Sequence, residues 1–188
     1  MELTDKQLMH SVSEGDVEKI GVLFERHYVR LFDFLYRMTG DASASEDLVQ
    51  EVFFRMLKYR RSFGEASEFR AWMYGIARNV RIDYFRKHQS EGSASALNSE
   101  APALSVLPHE EFERRQQSEL LSRAMMALPV EKRELLVFAR YHEMKYDEIA
   151  ALLEIEVGTV KVRVHRAMAE LRDIFLRMSG ENRKCSVK

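Results

Sequence analysis

A basic residue beside an apolar one on a single helical face can read the edges of base pairs, and such a set stands near the C-terminus. At 100° per residue, a helix over about 157–178 turns Val160, Val164, Ala167, Met168, Leu171 and Phe175 inward. Lys161, Val162, His165, Arg166, Ala169 and Arg172 turn outward. Arg166 and Lys161 can donate to guanine edges or to phosphates, and Val162 can meet a thymine methyl. A second set lies on a helix predicted over about 68–87, which buries Phe69, Met73, Ile76, Ala77, Val80 and Tyr84. Its other face presents Tyr74, Arg78, Arg81 and Phe85, with Asn79 and Arg86 at the edge. Rings interleaved with guanidinium groups suit single-stranded nucleic acid, because bases stack on the rings while the cations hold phosphates. On spacing alone, Tyr74 and Phe85 suit packing against other helices of the same domain somewhat better. A third feature is Phe54, which stands among Asp47, Gln50 and Glu51, opposite the apolar arc of Leu48, Val49, Val52, Phe53 and Met56. A large ring centred on a polar face is a candidate anchor for a protein partner, or else a lone exposed phenylalanine.

Covalent chemistry finds little support. The six histidines (His10, His27, His88, His109, His142, His165) are scattered, and His142-Glu143 has no zinc-binding spacing. There is no Gly-rich phosphate loop and no nucleophile with an evident base. The one cysteine, Cys185, excludes an intramolecular disulfide and a cysteine-based metal framework. The expectation is a binding protein without cofactor or metal, not an enzyme.

The elements that must position these residues are helices. The 188 residues include only 8 Gly and 3 Pro, and charged residues are mixed with Leu, Ala and Met. Helices are predicted over 16–38, from a Ser43–Glu46 capping box to 59, over 68–87, 110–128, 131–142 and 146–153, and over the 157–178 segment above. Gly40 and Asp41 end the first, Phe63-Gly64 marks a loop, and Pro129 ends the fourth. The short helix carrying Tyr146, Ile149, Ala150, Leu152 and Leu153, a turn through Glu154-Ile155-Glu156 and the final helix make a helix-turn-helix pattern, with Ala150 small enough for a close crossing.

A Ser-, Ala- and Glu-rich stretch between them reads as a flexible acidic linker. The chain therefore divides into domains at 1–88 and 109–188, with the linker at 89–108. The net charge is −1, yet residues 58–88 and 158–188 each carry 8 basic and 3 acidic side chains, net +5 apiece. Two basic blocks in a neutral chain suggest two nucleic-acid contacts. No apolar run approaches ~20 residues and no signal peptide is visible, so a cytoplasmic protein without membrane insertion is expected. Residues 179–188 read as a disordered tail. A stand-alone helix-turn-helix repressor would explain 146–172, but leaves the first domain without a task.

Four motifs then point to a family. Asp47-Leu48-Val49-Gln50-Glu51-Val52-Phe53, Phe69-Arg70-Ala71-Trp72-Met73-Tyr74-Gly75-Ile76-Ala77-Arg78-Asn79, Tyr146-Asp147-Glu148-Ile149-Ala150 and Val157-Gly158-Thr159-Val160-Lys161-Val162-Arg163-Val164-His165-Arg166-Ala167 resemble the extracytoplasmic-function (ECF) sigma factors of the sigma-70 family. The resemblance spans about residues 5–178, with the motifs in the expected order. It implies an all-α protein of two small domains, a sigma-2 domain and a helix-turn-helix sigma-4 domain. Asp47, Leu48, Gln50, Glu51 and Phe54 would dock on the clamp helices of core RNA polymerase. Tyr59, Phe63, Tyr74, Arg78, Asn79, Arg81, Phe85, Arg86 and Lys87 would hold the melted −10 strand, with Phe63 and Asn79 at positions that contact flipped bases in relatives. Thr159, Lys161, Val162, Arg163, His165 and Arg166 would read the duplex −35 element. Val162 departs from the pattern, since many relatives carry a small polar residue there. The resemblance also implies an anti-sigma factor as partner.

Overall fold

A computed structural model describes residues 3–90 and 109–185, with side chains described over 3–88 and 115–180. Among the described residues there are eight α-helices and no strand: α1 (Asp5–Glu14), α2 (Lys19–Thr39), α3 (Ala42–Lys58), α4 (Phe69–Ser90), α5 (His109–Ala127), α6 (Val130–Leu136), α7 (Tyr146–Leu153) and α8 (Val157–Cys185). A 3₁₀ turn at Arg60–Ser62 follows α3, and a π-helical turn at Val137–Tyr141 follows α6. The linker expected at 89–108 lies mostly outside the described residues, as does the end of the tail at 186–188. The backbone of 179–185 continues α8, which corrects the expectation of a disordered tail from 179. No described helix is long and apolar enough to cross a membrane. The chain divides into two compact units, the first built on α1–α4 and the second on α5, α6 and α8, with α7 leading into α8.

In the first unit α2, α3 and α4 pack on one another around Leu31, Phe34, Leu35, Met38, Val49, Val52, Met56, Met73 and Ala77, all essentially inaccessible. The start of α3 departs from the Ser43–Glu46 expectation. Asp41 is the N-cap, accepting from the Ala44 amide at 3.0 Å, so the helix opens sooner. Gly40, at φ 76, takes the left-handed conformation that ends α2, and its amide donates to Tyr36 O at 2.8 Å. The helix α1 lies ahead of the first helix that the apolar spacing predicts. Thr4 and Gln7 form its capping box, and Leu8, Met9 and Val12 bury its inner face.

In the second unit α5 and α6 both pack on α8. Buried Arg133 donates to the carbonyls of Met126 (3.1 Å) and Leu128 (3.4 Å), supplying partners for carbonyls that a helix end leaves open. The π-helical turn is closed by the His142 amide on Val137 O at 3.0 Å. Lys132 and Glu170 pair between α6 and α8.

Candidate nucleic-acid and partner interfaces

The helix-turn-helix hinge is built as its sequence suggests. The Lys145 amide donates to Glu148 Oε2 at 2.7 Å, which fixes the start of α7. At the far end Glu154 takes φ 54 and the Ile155 amide donates to Ala150 O at 3.0 Å, turning the chain sharply into α8. Val160, Val164, Ala167 and Leu171 are buried, and Ile174 joins them. Met168, expected inward, is 39% exposed. Lys161, Val162, Arg163, His165 and Arg166 all stand exposed over the first three turns of α8, with Thr159 half-buried behind them. Half of the Val162 surface is accessible.

On α3 the apolar arc is as expected, and Phe54 is 60% exposed. Asp47 and Gln50 are exposed and Glu51 is half-buried beside it. Leu48, placed with the docking residues by resemblance, is buried in the core and is not part of that surface. A neighbouring feature was missed by spacing alone. Along α2, Phe24, Tyr28, Phe32 and Tyr36 recur every fourth residue, with successive ring centroids 5.2, 6.3 and 6.0 Å apart. Phe24 is 37% exposed and meets Phe53 of α3 at 4.9 Å. The signal was legible as an i, i+4 aromatic series running off the buried face.

On α4 the phase differs from expectation. Tyr74 and Arg81, expected on the outer face, are buried, and Ile76 and Tyr84, expected inside, are half-buried. The cause is packing on two sides. Tyr74 meets Phe34 of α2 edge-on at 5.5 Å, and burial pushes its hydroxyl up to about 12. The buried arc is thereby rotated toward the Tyr74–Arg81 edge. Asn79, Arg86 and Lys87 are exposed, Phe85 is 36% exposed and Arg78 is half-buried. Phe63 is also buried, against His10 (5.1 Å), Trp72 (5.3 Å) and Phe69 (6.3 Å), so it does not present its ring to a base here. Tyr59 is 48% exposed at the end of α3. Between α3 and α4 lies an open cleft of about 330 Å³ lined by Arg55, Tyr59, Ile76, Asn79, Ile82 and Asp83.

Two charge clusters stabilise this unit. Asp5 accepts from Arg26 Nη1 at 2.9 Å and from His27 Nε2 at 2.7 Å, clipping α1 to α2. Burial raises the Asp5 carboxyl, but the bonds and charges of Arg26 and His27 outweigh it and leave it below the usual range. Burial holds His27 below 6.5 despite Asp5. Arg55 bridges Glu51 and Asp83, and Asp83 is held below the usual carboxylate range mainly by the hydrogen bond from Arg55. Among the described residues, no group of three or more His, Cys, Asp or Glu could hold a metal. The Cys185 side chain lies outside those described.

Residues 23–91 match the family described as Sigma-70 region 2, and residues 118–171 match Sigma-70, region 4. The chain is 30% identical over 181 residues to the ECF RNA polymerase sigma factor SigW of Bacillus subtilis (strain 168), covering 92% of this chain and 97% of that one. It is 30% identical over 151 residues to the ECF RNA polymerase sigma factor SigL of Mycobacterium tuberculosis, covering 80% and 85%. Among solved structures it resembles CnrH in complex with the cytosolic domain of CnrY. The TM-score is 0.68 at 23% identity, over 90% of this chain and 96% of that one. The sigma factor RpoE in complex with the anti-sigma factor NepR, from Bartonella quintana, gives 0.61 at 22%, over 82% and 94%.

Proposed function

Because this chain belongs to the ECF sigma factors of the sigma-70 family, we propose that its exposed faces divide the work of promoter recognition among themselves. It is an RNA polymerase sigma factor, acting in promoter recognition and transcription initiation. The domains follow the division at 1–88, 89–108 and 109–188. Asp47, Gln50, Glu51 and Phe54 of α3 form the core-polymerase dock. Tyr59, Arg78, Asn79, Phe85, Arg86 and Lys87 hold the melted −10 strand. Lys161, Val162, Arg163, His165 and Arg166 read the −35 duplex, with Thr159 at the start of their helix. Leu48, Phe63, Tyr74 and Arg81 support these surfaces from within. The protein works in the cytoplasm with polymerase, carries out no covalent chemistry, and has an anti-sigma factor as a regulatory partner.

The observation that carries this reading is the first half of α8. Three cations, an imidazole and one valine are exposed on the N-terminal turns of the second helix of a helix-turn-helix, the part that enters a major groove. In-vitro transcription with core enzyme on a promoter library tests it. A −35 preference is expected that shifts when Val162 and Arg166 are changed. A library whose −35 preference is identical for wild type and a Val162→Ala, Arg166→Ala double variant would remove the assignment. Gel shift of the protein alone separates the repressor alternative, which requires tight specific binding without core enzyme.

A further inference from the structure

Four side chains of alternating sign run across the first unit from α3 to α4. Arg55 Nε donates to Glu51 Oε1 at 2.6 Å, and Arg55 Nη1 donates to Asp83 Oδ2 at 2.7 Å. Arg86 Nη2 then donates to Asp83 Oδ1 at 2.8 Å. The two interior members are each shared between two partners. Arg55 is the most enclosed of the four, its side chain 24% exposed, and Arg86 the least, at 79%. The ends of the chain belong to different surfaces in the functional reading above, Glu51 to the polymerase dock and Arg86 to the −10 face.

We infer that Arg55 and Asp83 are positioning residues that couple these two ends, so that a partner cation docking on Glu51 releases Arg86 to bind phosphate. The inference rests on the proposed division of surfaces. Its physical basis is competition for a shared partner. A guanidinium held by two carboxylates gives each only part of its attraction. When a basic group from a partner neutralises Glu51, Arg55 is drawn more fully onto Asp83. That carboxylate, better satisfied, then holds Arg86 less tightly. With strictly alternating signs, weakening the first contact strengthens the second and weakens the third. Exposed ion pairs shift equilibria by roughly two- to fivefold, so the coupling is a bias and not an all-or-none switch. Coupling in binding is reciprocal, so phosphate on Arg86 tightens docking at Glu51 by the same factor. Arg55 and Asp83 also wall the cleft beside Asn79, so their rearrangement falls where a nucleotide would be held.

The test uses the full chain and five variants: Glu51→Gln, Asp83→Asn, the pair combined, Arg86→Gln, and Glu46→Gln. The last removes an exposed α3 carboxylate outside the chain of contacts. Side-chain ¹⁵N relaxation at Arg86 Nε reads the coupling without nucleic acid. Arg86 should become more mobile in Glu51→Gln and in Asp83→Asn, and stay as restrained as wild type in Glu46→Gln. Binding of a fluorescent single-stranded −10 oligonucleotide should tighten roughly two- to fivefold in Glu51→Gln. That gain should disappear when the change is made in the Asp83→Asn background. Unaltered Arg86 mobility in Glu51→Gln overturns the inference. So does a binding gain that survives in the Asp83→Asn background, which would mark a general field effect. If Arg86 is mobilised while Arg86→Gln leaves oligonucleotide binding unchanged, the −10 assignment of Arg86 fails and the release to phosphate fails with it. The contact chain itself is then still read by relaxation alone.

Discussion

Leu48 and Phe54 lie on the same helix, yet one is enclosed in the core and the other is 60% exposed, so truncating them separates docking from folding. Leu48→Ala should lower the unfolding free energy by about 2–5 kcal/mol, the range for a cavity in a packed core. Phe54→Ala should leave stability within about 0.5 kcal/mol and weaken binding to core polymerase by about 2 kcal/mol or more. Denaturation midpoints and titration with core enzyme report the two quantities, and unchanged core affinity would remove Phe54 from the dock. Arg166→Ala should cost roughly 1–3 kcal/mol at promoters with the matching base pair. An equal loss on every duplex would mean that Arg166 contacts only phosphate. At this scale legibility followed the number of packing partners. The α8 pattern of Val160, Val164, Ala167 and Leu171 was readable because one broad stripe meets the core. On α4, Phe34 comes from a distant stretch of chain to enclose Tyr74, and Phe63 is enclosed by His10, Phe69 and Trp72. No local period records those neighbours.

Among the elements, α1 shows how a short helix escapes a periodicity reading while its cap and its clip are both written in the sequence. Ten residues give too few turns to display a stripe, and tertiary contacts supply what propensity does not. Its attachment through Asp5 to Arg26 and His27 gives the first unit a pH dependence with a definite sign. Burial holds the folded His27 pKa below 6.5, so the unfolded chain binds more protons as acid is added. Stability is therefore full above about pH 6.5 and declines as the pH falls through the folded value. Asp5, also lowered, adds a second loss further into acid. His27→Gln keeps a donor toward Asp5 but cannot titrate. The single tryptophan, Trp72, stands in this unit and reports its unfolding by fluorescence. Between pH 7.5 and 5.5 the wild-type denaturation midpoint should fall and that of His27→Gln should fall less. Parallel slopes for the two proteins would mean that His27 contributes nothing to acid sensitivity.

The whole molecule joins two basic surfaces in a chain whose net charge is −1, and the division between them was legible from composition because a Ser-, Ala- and Glu-rich stretch separates two helical patterns. Near-neutrality has a consequence for affinity. Each net +5 block must act locally, since charges farther apart than about 8 Å are largely screened at physiological salt. On the proposed assignment of surfaces, neither alone then supplies tight promoter binding, and the covalent connection should matter as much as the contacts. Linking two weak binders gives the second an effective concentration near the millimolar range and raises avidity by roughly 10²–10⁴. A protease site inserted within 92–107 and cut after folding tests this in the otherwise intact protein. Core binding should persist, because the proposed dock lies wholly on α3. Transcription from a promoter that depends on its −35 element should fall by about 10²–10⁴ at nanomolar protein, because the second unit is lost to dilution. Raising the concentration of both pieces toward the effective value should restore much of it. Equal transcription by cut and intact protein at nanomolar concentration would mean that the −35 contacts reach the promoter without the tether, and the linker would then have no part in recognition.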